Sequence, residues 1–132
     1  MANIAQFRDG TMDAIVIVVE DDDAVRDSTC SLLQCYNYAV RSHASAEDFL
    51  DHSSDKVDFL LLDHYLPGMS GLDLLEKLRA SGDLTPALVI TARCDPTILA
   101  RAERIGVKVL LKPVFEARLI SSIETTRQSH RT

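Results

Sequence analysis

The chain has 132 residues, of which 46% are hydrophobic and 26% charged, with 5 Gly and 4 Pro; that is one domain with an ordinary core, and it excludes disordered, collagen-like and low-complexity chains. Its 14 Lys and Arg against 20 Asp and Glu leave a net charge of -6, which excludes general electrostatic attraction to nucleic acid or anionic lipid and makes a protein partner the expectation. Three cysteines, Cys30, Cys35 and Cys94, form neither an even framework nor a CxxC pair; they suit a reducing compartment and read as packing residues, Cys94 being the one candidate for a reactive thiol.

The segment MANIAQFRDG has no basic stretch followed by an apolar signal core. The first apolar run, Ala14 to Val19, has strand length and is far short of the roughly 20 residues of a membrane span. A cytoplasmic protein is therefore expected. After that run, Val25, Thr29, Leu32, Leu33 and Tyr36 share one helical face. A weak strand, Ala39 to Ser42, precedes a short helix at Ser45 to Asp51, with Ser45 as N-cap, Asp48 as the capping-box acid, and Phe49 and Leu50 inward. Val57 to Leu62 reads as a buried strand, followed by helical spacing at Leu72, Leu75 and Leu78. A fourth strand is expected at Ala87 to Thr91 and a fifth at Val107 to Leu111. Between them Ile98, Ala102 and Ile105 mark a helix, and Phe115, Leu119 and Ile123 mark the last one. Gly82 and Gly106 stand where helices should stop.

Five strands alternating with five helices predict a doubly wound α/β domain built on a five-stranded parallel sheet, a (βα)5 unit. One domain is expected at 13–128, flanked by an extension at 1–12 and a tail at 129–132, without internal repeats. In such folds ligands bind beyond the carboxyl ends of the strands, near the switch in strand order. The residues at those ends are Glu20, Asp21, Asp22 and Asp23, then Asp63, Thr91 and Lys112. Carboxylates gathered from neighbouring strand ends repel one another unless a cation joins them, and all-oxygen ligands favour a hard ion such as Mg²⁺. A carboxylate is also a competent nucleophile towards phosphorus, and phosphoryl transfer chiefly needs charge neutralisation and positioning. Asp63 can be that nucleophile, with Lys112 as the ammonium and Thr91 as the hydroxyl. Taken singly, an acidic run is usually a solvated helix start, and a strand-end Thr or Lys is usually structural. Their coincidence at one edge, in this chain order, favours chemistry.

The stretches VVEDD (Val18 to Asp22), LLDHYLPGMSG (Leu61 to Gly71), VITA (Val89 to Ala92) and LLKPV (Leu110 to Val114) resemble the receiver domain of two-component response regulators, over about residues 13 to 127. The resemblance implies a flavodoxin-like receiver fold and a phosphoacceptor, Asp63, that takes its phosphoryl group from a histidine kinase or histidine phosphotransfer protein. It further implies Mg²⁺ bound by Asp21, Asp63 and the backbone carbonyl of Tyr65, with Glu20 contacting it through water. Thr91 and Lys112 would bind the phosphoryl oxygens, Lys112-Pro113 would be a cis peptide, and Pro67 and Gly68 would form the turn after Asp63. The family's usual aromatic switch is replaced by Val109, which moves the expected signal to the loop and helix before it. The output would then be a downstream effector or a homodimer through the fourth-helix face, without direct nucleic-acid or membrane binding. Tyr65 and Arg93 are expected to flank the acyl phosphate and obstruct water. His64 is expected to be partly exposed, His43 and His52 to lie on the surface, and His130 in the tail.

VEDDDAVRDS and SAEDFL are similar to receivers of the nitrogen-fixation regulator type, so the chain can also be read as the input domain of a DNA-binding regulator. A haloacid dehalogenase-like phosphatase is disfavoured because Tyr65 occupies the place of its second Asp. A nucleotide or flavin binder is disfavoured because EDDD replaces a phosphate-cradling loop.

Overall fold

The computed structural model describes residues 14–52 and 56–131. Strand and helix alternate as β1 (Ile15–Val19), α1 (Asp23–Cys35), β2 (Ala39–His43), α2 (Ala46–His52), β3 (Phe59–Asp63), α3 (Gly71–Ala80), β4 (Ala87–Thr91), α4 (Pro96–Arg104), β5 (Lys108–Leu111) and α5 (Glu116–Arg131). All strands are parallel, in the order β2-β1-β3-β4-β5. The expected doubly wound α/β sheet is thus the observed one. α5 runs on to Arg131, past residue 128 where the sequence reading ends the domain.

Burial follows from the strand order. β1 and β3 are interior and buried at every position, which is why their sequences are apolar without alternation. β2 and β5 are edges and half exposed; Arg41, Ser42 and Lys108 belong there, and β2 reads weakly in the sequence for the same reason. Successive side chains leave a strand on opposite faces. Ile17, Val19, Leu60, Leu62 and Val89 therefore pack with Phe49, Leu72, Leu75, Ile98 and Ala102 of α2, α3 and α4. Val16, Val18, Phe59, Leu61 and Leu88 pack with Leu33, Leu119, Ile120 and Ile123 of α1 and α5.

The helix ends explain where the chain turns. Asp22, Ser70 and Asp95 cap α1, α3 and α4 by accepting the amides of Val25, Asp73 and Ile98. Ser45 accepts the Asp48 amide at 3.0 Å as expected, but Asp48 does not complete a capping box. Its carboxylate instead meets His43 Nδ1 at 2.7 Å and His52 Nδ1 at 3.0 Å. His43 is accordingly half-buried, not a surface residue, because it ends β2 beneath α2 and stacks edge-on against Phe49. Three helices close identically. Asn37, Gly82 and Gly106 have φ of 71°, 92° and 69°, and in each case the next residue's amide returns to a carbonyl in the last helical turn. Asn37 was not anticipated as a stop, although asparagine tolerates this conformation.

Three expectations about faces are corrected. Val25 and Tyr36 are exposed: Val25 lies in the first turn of α1, and Tyr36, the C-cap, turns outward to donate to Glu116 at 2.7 Å. Phe115 precedes α5 and is exposed. Cys35 is also exposed, while Cys30 and Cys94 are half-buried.

Candidate functional site at the carboxyl edge of the sheet

The reversal of strand order between β1 and β3 opens the crevice that the chain fills with acid. Val19 pairs with Leu62, so the next residues, Glu20 and Asp63, emerge side by side. Beyond the strands the backbone ladder continues: the amides of Glu20, His64 and Lys112 donate to the carbonyls of His43, Ile90 and Thr91 at 3.0, 2.8 and 2.8 Å. Each functional residue is thus fixed by its neighbour's backbone.

Glu20, Asp21 and Asp63 can each turn one carboxylate oxygen into a space where all three lie within 4.8 Å of one another. Glu20 and Asp63 are buried and Asp21 is exposed. Lys112 Nζ stands 3.5 Å from both buried carboxylates. Three carboxylates and one ammonium leave a formal charge of -2. Burial is the main cause that pushes the Glu20 carboxyl up from its ordinary range, and repulsion from Asp63 adds to it, against the Asp22 amide and Lys112. A small divalent ion fits that charge and that oxygen-only donor set.

Thr91 is fully buried at the end of β4. Its hydroxyl donates to the Arg93 carbonyl at 2.6 Å and accepts the Arg93 amide at 3.2 Å, so it closes its own loop. Arg93 lies with its guanidinium carbon 5.4 Å from the Tyr65 ring centroid; the two residues expected to flank Asp63 stack on each other. Lys112-Pro113 is cis, as expected. Val109 is half-buried against the α2–α4 side of the core. A cavity of about 440 Å³ runs from Asp63 and Lys112 between α1 and α5, walled by Val25, Thr29, Pro113 and Leu119.

His64 is the correction at this site. It is buried, not partly exposed, because its amide continues the ladder to β4 and the start of α3 packs on its backbone. A Cβ at Gly71 would fall 2.5 Å from the Asp63 carbonyl oxygen and 3.1 Å from the His64 Cα. His64 Nδ1 has no hydrogen-bond partner among the described residues, and burial lowers the ring's affinity for a proton. Sequence reading also missed Arg26, whose Nη1 donates to the Glu20 carbonyl at 2.9 Å while Nη2 meets Asp23. The available signal was a cation, Arg26, one turn after an acidic strand end and off the apolar face of α1. His130 lies outside the residues whose side chains are described.

Residues 16–124 match the family model of the response regulator receiver domain. The transcriptional regulatory protein FixJ of Azorhizobium caulinodans is 36% identical over 114 residues, 84% of this chain and 54% of that protein. The response regulator MprA of Mycobacterium bovis is 40% identical over 83 residues, 62% of this chain and 36% of its own. The chain therefore spans about half or less of the length of these relatives. Among solved structures, a CheY-like receiver domain protein of Methanospirillum hungatei superposes with a TM-score of 0.83 at 26% identity, covering 92% of this chain and 98% of that one. The response regulator StyR superposes at 0.81 with 36% identity, covering 90% and 62%. Sheet order, strand-end cluster and matched segment coincide, and the chain belongs to the response regulator receiver domain family.

Proposed function

We propose that Asp63 accepts a phosphoryl group from a phosphohistidine of a histidine kinase or phosphotransfer protein, with Mg²⁺ held by Asp21, Asp63 and the Tyr65 carbonyl and contacted through water by Glu20. The observation that carries this reading is the buried Asp63 carboxylate, which shares an oxygen cluster with Glu20 and Asp21 and has Lys112 at 3.5 Å. Bound Mg²⁺ would neutralise charge at the carboxylates and on the phosphoryl oxygens. An Asp63 oxygen forms the new O–P bond as the donor's N–P bond breaks, and the leaving imidazole nitrogen keeps the electron pair and is protonated. Lys112 offsets the negative charge brought in, and Thr91 exchanges its bond to Arg93 for one to a phosphoryl oxygen, drawing its loop inward. Asp63 is then a stoichiometric acceptor, and the signal passes to an effector protein or a second copy through the α4 face.

On this reading the receiver unit is 13–128, with α5 continuing to Arg131, and it works in the cytoplasm with its donor. Among the described residues no helix is long and apolar enough to cross a membrane. The half-length match to a transcriptional regulator favours a role as input module of a DNA-binding protein. Incubation with a small phosphoramidate and Mg²⁺ should add one phosphate by intact-mass analysis, labile to hydroxylamine. An addition that persists in Asp63→Ala would refute the acceptor assignment.

A further inference from the structure

α2 contributes no residue to the acidic cluster, yet two consecutive carboxylates leave it in different directions. Asp48 reaches His43, whose carbonyl holds the Glu20 amide. Glu47 reaches across to the loop that follows Asp63, where its Oε2 accepts the Met69 amide at 2.8 Å. That loop carries Tyr65. Its other internal ties, from the amides of Leu66 and Gly71, both return to the His64 carbonyl at 3.0 Å. Glu47 adds a tie from α2, beside the bond of the Ser70 amide to Asp73 and the stacking of Arg93 on the Tyr65 ring.

A second observation concerns Gly68. It has a φ of 76°, and a Cβ there would lie 2.6 Å from Glu47 Oε2. The missing side chain leaves the room that the carboxylate occupies, so loop and helix are matched to each other. From these contacts we propose that Glu47 is a positioning residue for the metal face of the site, acting through the Met69 amide on the segment that presents the Tyr65 carbonyl. Without the tie, the ordering of that carbonyl falls on the binding step and weakens it. This inference rests on the Mg²⁺ reading of the site.

Glu47 is exposed on a helix, and alanine is the best helix former, so Glu47→Ala should fold. Glu47→Gln keeps an oxygen that can accept the amide but removes the charge. Mg²⁺ affinity is measured by calorimetry on the unphosphorylated chain, together with metal-free melting and amide exchange at Met69. Expected for Glu47→Ala are a dissociation constant raised about three- to tenfold, in the range of outer-shell effects on metal sites or just below it, faster exchange at Met69, and a metal-free melting temperature lower by no more than a few degrees, the cost of one exposed hydrogen bond. Glu47→Gln should stay within about twofold of wild type, since the hydrogen bond survives. Equal affinity of Glu47→Ala and wild type would overturn the proposal. So would Glu47→Gln as weak as Glu47→Ala, because the charge and not the hydrogen bond would then be acting. A wild-type chain that binds no Mg²⁺ would instead overturn the metal reading itself.

Discussion

Tyr65 and Arg93 each stand two residues beyond a site residue, and in the structure they stack, with Tyr65 42% exposed. A guanidinium over an aromatic face is worth about 0.5–1 kcal/mol when exposed, enough to bias both side chains towards one arrangement. On the proposed function, this pair would flank an acyl phosphate on Asp63 and obstruct in-line water. Replacing both with small polar residues should shorten the phosphate's lifetime about tenfold, the consequence of a barrier lower by roughly 1.4 kcal/mol. Decay of the phosphorylated mass peak measures it, and an unchanged lifetime would remove the steric argument. Gly71 and Glu47 belong to the same scale, since Gly71 lies close against the Asp63 and His64 backbone and Glu47 accepts the Met69 amide of the following loop. Neither contact could be read from spacing.

At the scale of elements, α4 is the proposed carrier of the signal and is clasped to α3. Val109 has a stiff β-branched side chain and cannot swing between buried and exposed positions as an aromatic ring would. Thr91, locked onto Arg93 in this state, must release its loop to reach a phosphoryl group, and α4 follows directly, capped by Asp95. Amide exchange with and without a beryllofluoride mimic should change across Thr91 to Ala102 and be nearly silent across Val107 to Leu111; the opposite pattern would overturn the loop readout. Arg101 would oppose such a movement, because it grips Glu76 with Nε at 3.0 Å and Nη2 at 2.7 Å, and Asp73 at 2.8 Å. Arg101 is the main cause that lowers the Glu76 carboxyl from its usual range, whereas the Ser70 amide is the main cause at Asp73, with Arg101 adding to it. Carboxyls whose folded values are depressed stabilise the fold above their unfolded values, near pH 4, and lose that contribution as pH falls through the folded ones. Arg101→Met should therefore melt lower than wild type at pH 7, by about 1 kcal/mol or less for so exposed a clasp. The gap should shrink below about pH 4. A gap independent of pH would assign the effect to packing of the side chain's stem.

For the whole molecule, the acidic edge gathers a repulsion that a bound cation would offset. Glu20 and Asp63 come from different strands, and their buried carboxylates carry more charge than Lys112 cancels. An ion that binds only the folded chain adds about 1.4 kcal/mol for each tenfold excess over its dissociation constant, or roughly 4 °C in melting temperature for a domain of this size. Millimolar Mg²⁺ should produce such a rise in wild type; a rise as large in Asp21→Ala would contradict the ligand set. The sequence by itself determined the (βα)5 order, because two interior strands buried on both faces must be uniformly apolar and the helices between them must carry one apolar stripe. It also determined which residues stand at the carboxyl edge, since a strand's end is fixed where its apolar run stops. Only the tertiary structure decided how those residues are partnered. The burial of His64, the turning of Asp48 to His43, the grip of Arg26 on the Glu20 carbonyl and the Arg101 clasp all join positions whose separation in the chain carries no periodic signal. They arise from packing helices at particular angles over a twisted sheet, and side chains of several rotamers take their partners from whatever that packing brings within about 3 Å.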